Sequence, residues 1–287
     1  MIQTKDETLI RYASYISVIT AFFVMLAKIY GWALTDSQSM RATLVDSLLD
    51  ISSSLINVIA IRFSLTPPDE NHRFGHEKFQ DLAIFSQSIF FFLSGLFTLF
   101  SATKALYAHR VPDNGELGID TMYFCIVLTL GLVIFQSYVI KKTNSKIIAA
   151  DKLHYFSDLL TNVAVVVSLY LSNKFWYIDA VAGIAISLYI VRGSFLLFRE
   201  AIRNLADEEF QLEDRNKIIN IINSVPEAKG VHELKTRCAG DKPFIQFHLE
   251  LNGKLTLAEA HQISDNIIDK LIELFPNAEI IIHQDPL

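Results

Sequence analysis

Residues 44–58 read LVDSLLDISSSLINV, and residues 149–163 read AADKLHYFSDLLTNV. Each stretch carries two metal-capable groups four positions apart: Asp46 and Asp50 in the first, His154 and Asp158 in the second. Residues four apart on an α-helix share one face. Long apolar blocks flank both stretches. At a rise of ~1.5 Å per residue, roughly 20 apolar residues cross a bilayer core. Blocks of that length predict membrane spans at 10–34, 42–65, 80–107, 117–140, 149–172 and 176–199. The second and fifth are the least apolar, through Ser52, Ser53, Ser54 and Asn57 in one and Asp151, Thr161 and Asn162 in the other. On their own these two could equally be soluble amphipathic helices.

A carboxylate at the centre of a membrane helix costs on the order of 2.5–3.5 kcal/mol to insert. Two in one span need a reason. If spans 2 and 5 pack face to face, Asp46, Asp50, His154 and Asp158 bring three carboxylates and one imidazole together. That is a four-ligand nitrogen and oxygen set suited to tetrahedral Zn2+. The imidazole moves preference from Mg2+ and Mn2+ toward Zn2+, Fe2+ or Co2+, and the lack of thiolate argues against Cu(I). A buried proton relay, or mutual hydrogen bonding without metal, is the alternative reading of the same residues.

The rest of the composition narrows the class. The chain has 287 residues, 51% of them hydrophobic, with 21 Phe and a formal net charge of −6. No basic stripe with interleaved aromatics occurs, so nucleic acid is not an expected partner. Cys125 and Cys238 fall in a span and in a C-terminal strand, where a disulfide between them is not expected. The start of the chain is polar, and the first apolar block is too long for a cleavable signal. Lys and Arg near the span ends gather on one side: Lys5, Arg11, Arg62, Arg73, Lys78, Lys141, Lys142, Lys146, Lys152, Arg199 and Arg203. The other side has only Arg41, Lys104, Arg110 and Lys174. This asymmetry predicts cytoplasmic termini.

From Asp207 the pattern changes. It predicts a membrane domain at 1–206 and a small cytoplasmic domain at 207–287. Helices are expected at Leu212–Ser224 and Leu257–Phe275. Strands are expected at Gly230–Ala239, Phe244–Leu251 and Glu279–Gln284, giving α-β-β-α-β in two layers. Ile245, Phe247, Leu249 and Leu251 alternate with Gln246, His248 and Glu250, so one strand face is buried. Two further ligand clusters stand out. Asp69, His72 and His76 lie in the polar loop after span 2, which is otherwise an ordinary solvated loop. His232, His248, His261 and His283, with Asp285, lie in the C-terminal domain, and His283 and Asp285 share a strand face. Each of these histidines alone reads as a surface residue; together they suggest regulatory metal binding.

These motifs resemble the cation diffusion facilitator family, most closely its bacterial zinc and ferrous-iron efflux members. The resemblance rests on Asp46-x-x-x-Asp50, His154-x-x-x-Asp158, the run from Asp69 to His76, and the ending Ile282-His283-Gln284-Asp285-Pro286. It implies a homodimeric metal/proton antiporter with six spans and a metallochaperone-like cytoplasmic domain. It implies a transport site of Asp46, Asp50, His154 and Asp158, and a loop site of Asp69, His72 and His76. It further implies a binuclear site of His232, His248, His283 and Asp285 at the dimer interface, with His261 as an additional ligand. Lys78 and Asp207 would match an ion pair joining the subunits. Val45 departs from the small residue common before the first aspartate.

The expected activity is efflux of Zn2+ from a bacterial inner membrane protein, with Fe2+, Cd2+ and Co2+ as further substrates and protons as counter-ion. Zn2+ would be both cargo and regulator, and the partners would be a second copy and membrane lipid. A membrane-anchored metal sensor is the alternative, though an anchor needs no intramembrane carboxylates. An enzyme is not expected. A metal held by four side chains has no vacant position for water, and no His-Glu-x-x-His arrangement occurs.

Overall fold

A computed structural model describes residues 5–35, 38–108, 119–171 and 177–287. The side chains of residues 38–46, Asp46 among them, lie outside the described ones, as do Arg41, Arg110 and Lys174. The chain divides into two compact units, Met1–Ala201 and Ile202–Leu287.

The first unit is built from α1 (Lys5–Thr35), α2 (Gln38–Ser64), α3 (Lys78–Tyr107), α4 (Ile119–Thr143), α5 (Lys146–Leu171) and α6 (Ile178–Leu205), whose last turn enters the second unit. Helix α1 packs against α2 and α4, α4 against α5, and α3 against α2 and α5. Beside an apolar core around Ile61, Ile147 and Ile148, the unit buries polar side chains and exposes large apolar ones. Phe97, Phe100, Val127 and Ile134 are exposed, whereas Ser17, Ser54, Asn57, Gln136 and Asp151 are buried. Only lipid makes such a surface favourable, because water would penalise every exposed apolar side chain and every buried polar one. Among the described residues, α1, α3, α4 and α6 are each long and apolar enough to cross a membrane. Helices α2 and α5, of 27 and 26 residues, are long enough but carry the polar groups. The protein is a helical membrane protein: among the described residues, six long helices, four of them apolar enough to cross a membrane, precede a small α+β domain.

Every helix of this unit outruns its expected span at one end at least, with α1 starting at Lys5, α2 at Gln38 and α3 at Lys78. Helix α4 continues to Thr143, α5 starts at Lys146 and α6 reaches Leu205. Hydropathy marks the bilayer core, while the helix itself continues through interfacial residues such as Lys141, Lys142 and Arg199. Asn144 ends α4 in the left-handed conformation, at φ 51°, and its amide donates to Ile140 O at 2.8 Å. That tight stop makes α4 and α5 antiparallel neighbours. Helix α6 seats on α5 through Gly193, where an added Cβ would lie 2.9 Å from Leu153 side-chain atoms. Close approach at small residues is how membrane helices pack without a hydrophobic driving force.

The second unit continues with α7 (Leu212–Asn223), β1 (Gly230–Ala239), β2 (Lys242–Leu251), α8 (Leu257–Leu274) and β3 (Glu279–Pro286). The sheet order is β1-β2-β3, with β2 antiparallel to β1 and parallel to β3. Strand β2 starts two residues earlier than expected because the turn is only Gly240-Asp241, with Gly240 at φ 55°. Ile245, Phe247, Leu249 and Leu251 face Ile218 and Ile222 of α7 and Ile267 and Leu271 of α8. A capping box starts α8: the Glu259 amide donates to Thr256 Oγ1, and the Thr256 amide donates to Glu259 Oε2. The Thr256 amide and hydroxyl, both donating to Glu259 Oε2, hold the Glu259 carboxyl below its ordinary range. The polar face of β2, with Gln246, His248 and Glu250, is left uncovered by either helix.

Phe247 is fully buried in a core that belongs to this unit alone. Phe247→Ala in residues 207–287 expressed alone is expected to cost about 3–5 kcal/mol. Urea unfolding followed by circular dichroism measures it. A loss under about 1 kcal/mol would mean that the core does not close within the unit.

Candidate metal centres

The first centre lies between α2 and α5. Asp50 Oδ1 stands 3.0 Å from His154 Nε2, and Asp158 Oδ2 stands 3.5 Å from the same nitrogen. All three offered ligand atoms lie within 4.8 Å of one another. The i,i+4 spacing places His154 and Asp158 on one face of α5, and α2 brings Asp50 across to them. His154 Nε2 is buried yet makes no hydrogen bond. It approaches the carboxylates at contact distance without the direction a hydrogen bond requires. The imidazole is held by stacking instead, on Phe91 at 4.9 Å and 9° between planes. A buried imidazole nitrogen that makes no directed hydrogen bond and is faced by two carboxylate oxygens fits a cation among the three. Asp46 lies one helical turn before Asp50 on α2, with its side chain outside the described ones.

The second centre is the loop between α2 and α3. Asp69 Oδ1 accepts the amides of Asn71 and His72 at 2.8 and 2.7 Å. The His72 amide bond is the largest cause holding the Asp69 carboxyl below its usual value. His72 Nδ1 lies 3.2 Å from Asp69 Oδ1, and His76 Nε2 lies 3.3 Å from Asp69 Oδ2. His76 Nδ1 sits 3.2 Å from the Thr66 carbonyl. Donation there leaves Nε2 as the lone-pair nitrogen facing Asp69, the arrangement that orients ligand imidazoles. The loop needs Gly75, whose φ of 95° is closed to other residues without strain.

The third centre follows from strand register. His232 pairs with His248 across β1 and β2, and His248 with His283 across β2 and β3, so three imidazoles form a row. Asp285 lies at its edge. Its Oδ2 is 2.9 Å from His248 Nδ1 and 3.2 Å from His232 Nε2, and its Oδ1 is 3.2 Å from His283 Nε2. The hydrogen bond from His248, then the charge of all three imidazoles, holds the Asp285 carboxyl below its ordinary range.

His261 is not brought to this row within the chain. It is on α8, which covers the other face of the sheet, and it lies 3.5 Å from Asp265. Asp207 pairs with Arg237 at 3.1 Å, inside the second unit, and Lys78 opens α3 in the first. Cys125 and Cys238 are both free thiols.

Three residues escaped the sequence reading as site residues. Glu233 and Glu250 stand beside the imidazole row, 3.8 Å from His248 Nε2 and 3.6 Å from His232 Nε2. Glu233 gets there through a bulge between His232 and Lys235, where its φ is 49°. Glu250, two positions after His248 on the same strand face, was legible. Asp151 reads from the sequence as a polar residue of span 5, and its partners on three other helices come from the fold.

A six-helix membrane bundle with carboxylates and an unbonded imidazole at its centre, joined to a histidine-rich α+β domain, defines a membrane carrier of metal cations. Comparison with known proteins agrees. The cation efflux transmembrane domain matches residues 14–206, and the cation efflux protein cytoplasmic domain matches residues 211–287. Protein p34 of Rickettsia rickettsii is 56% identical over 97% of this chain and 92% of its own length. The cation-efflux pump FieF of Shewanella oneidensis is 41% identical over 100% of this chain and 98% of its own. FieF of Serratia proteamaculans is 39% identical over 97% and 93%. The chain belongs to the cation efflux family, and it is a cation efflux transporter.

Metal ligation requires neutral imidazoles and ionised carboxylates. Because the Asp285 carboxyl is depressed, it takes up its proton only below the ordinary carboxylate range. Acidification between about pH 7.5 and about pH 5.5 therefore leaves the Asp285 carboxylate ionised. Calorimetric titration of residues 207–287 with Zn2+ is expected to show weaker binding at the lower pH. Asp285→Asn should reduce affinity by about the same factor at both pH values. A factor that vanishes at the lower pH would show that Asp285 itself titrates there.

Proposed function

We propose that the chain is a metal/proton antiporter that exports Zn2+, with Fe2+, Cd2+ and Co2+ as further substrates. The single observation that carries this reading is the unbonded Nε2 of His154 facing Asp50 and Asp158. In this reading Asp46 completes a four-ligand set. The carboxylates supply charge, and the imidazole supplies preference for borderline metals over Mg2+ or Mn2+. Metal and proton compete for the same lone pairs, so that binding one releases the other.

Residues 1–206 form the transport domain and residues 207–287 the cytoplasmic one. The protein works as a homodimer in a bacterial inner membrane with both termini in the cytoplasm. The imidazole row with Asp285 is a regulatory metal site at the interface of two cytoplasmic domains. His261 joins it only across that interface, since within one chain it lies on the opposite layer. Asp69, His72 and His76 form a further metal site, and Lys78 and Asp207 form an ion pair between subunits. The matched cytoplasmic domain family and the self-contained core of residues 207–287 support the division of labour.

Two substitutions test the transport site in proteoliposomes. Asp50→Ala should reduce Zn2+ flux to the level of empty vesicles while the protein keeps its gel-filtration profile. Wild-type flux in that variant would sink the assignment. His154→Asp makes the set all-oxygen, so the ratio of Zn2+ to Mn2+ flux should fall; an unchanged ratio would mean that His154 does not set selectivity.

A further inference from the structure

Asp151, on α5, is 1% exposed and is not one of the metal ligands. Its carboxylate joins four helices. Oδ2 accepts from Ser17 Oγ of α1 at 2.7 Å and from Gln136 Nε2 of α4 at 2.8 Å, and Oδ1 accepts from Asn57 Nδ2 of α2 at 2.8 Å. Helix α3 joins through Gln87 Nε2, which donates to Asn57 Oδ1 at 2.6 Å. All of these partners are neutral. A buried carboxylate whose directly bonded donors are all neutral has no counter-ion in contact with it, and a proton would cancel its charge.

The surroundings satisfy both protonation states. Ser17 Oγ lies 2.7 Å from Asp151 Oδ2 and 3.0 Å from the Ala13 carbonyl, and it accepts from Gln136 Nε2 at 3.0 Å. With Asp151 ionised, the hydroxyl donates to the carboxylate. With Asp151 protonated, the acid donates to Ser17 Oγ, and the hydroxyl hydrogen turns to the Ala13 carbonyl. Rotation about one bond serves the change, and no buried donor loses its acceptor. A group that only tied helices together would need one of these states, not both.

The charged neighbours give the change a cause. Ser17 on α1, Asn57 on α2 and Gln136 on α4 bond Asp151, Gln87 on α3 bonds Asn57, and Asp50 on α2 lies against His154; its own helix carries His154, Tyr155 and Asp158. Asp151 precedes His154 by three residues, about 4.5 Å along the helix axis. A divalent ion at His154 attracts the ionised form of Asp151, and its departure leaves the acid form favoured. A cavity of about 310 Å³ lined by Arg11, Ser14, Tyr15, Val58, Ile61 and Arg62 lies next along α1 and α2. Ser14 is one turn from Ser17, and Val58 adjoins Asn57, so the cavity ends near the network.

We infer that Asp151 is a proton-carrying residue of the transport cycle, separate from the metal ligands. It holds one proton when the Asp50, His154 and Asp158 cluster is empty, and it gives that proton to water when a divalent ion arrives. This rests on the transport reading above.

The test counts protons released per Zn2+ bound by the full-length protein in lightly buffered detergent solution, with a pH-indicator dye. Asp151→Asn has the shape of the protonated acid and cannot ionise. It should release about one proton fewer per ion than the wild type, and its Zn2+ affinity should depend less steeply on pH. Wild-type proton count and pH dependence in that variant would overturn the inference and leave Asp151 a tie between helices. Should Asp151→Asn not fold, Ser17→Ala keeps the carboxylate and removes the hydroxyl that serves both states. It should then move the pH midpoint of proton release, and an unmoved midpoint overturns the inference equally. A wild type that neither transports Zn2+ nor releases protons on binding it would instead refute the transport reading itself.

Discussion

The structure is organised by the cost of placing carboxylates where water does not reach. Inserting one at the centre of a membrane helix costs on the order of 2.5–3.5 kcal/mol, and this bundle holds Asp50, Asp151 and Asp158 on two adjacent helices. Each is made tolerable differently. Asp50 faces the imidazole of His154. Asp158 faces it too but remains more open, with 39% of its side chain exposed. Asp151 is enclosed by hydroxyl and amide donors from three other helices. Because these groups demand partners, the helices that carry them are drawn inward, and the apolar helices α3, α4 and α6 present much of the lipid surface.

Much of this was legible in the sequence because the relevant rules are local. Four-residue spacing put His154 and Asp158 on one face. Period-two alternation chose the buried face of β2, and the C-terminal helices and strands fell within a few residues of their observed ends. What escaped depends on contacts between elements. Nothing in the spacing of Ser17, Asn57, Gln136 and Asp151 says that they meet, since each sits on a different helix. Glu233 reaches His248 only through a bulge, an irregularity that shifts the face a residue presents. His261 shows the converse. It is close in sequence to the other histidines of its domain, but α8 carries it to the opposite layer.

The two ends of the molecule handle metal-capable side chains by different backbone logic. In the bundle, one helical turn separates the paired groups, and the helix axis fixes their spacing. In the small domain, cross-strand register does the same work, with His232, His248 and His283 at one level of the sheet. Both are rigid elements, which hold ligand geometry better than loops. The exception is the cluster of Asp69, His72 and His76, where backbone amides and the Thr66 carbonyl orient the side chains in place of a regular element.

The register of the imidazole row has a consequence for the cohesion of the small domain. β1 and β3 flank β2, and the chain must run through α8 to lay β3 alongside. Closing that long segment onto β2 is an entropic expense of folding. An ion gripped by His232 on β1, His248 on β2 and Asp285 on β3 would act as a cross-link between segments far apart in the chain. It would bind the folded sheet and find no assembled site in the unfolded chain, so occupancy would add directly to fold stability. The melting temperature of the domain would then rise with free metal concentration, making the sheet a thermodynamic gauge of the ion that the bundle moves.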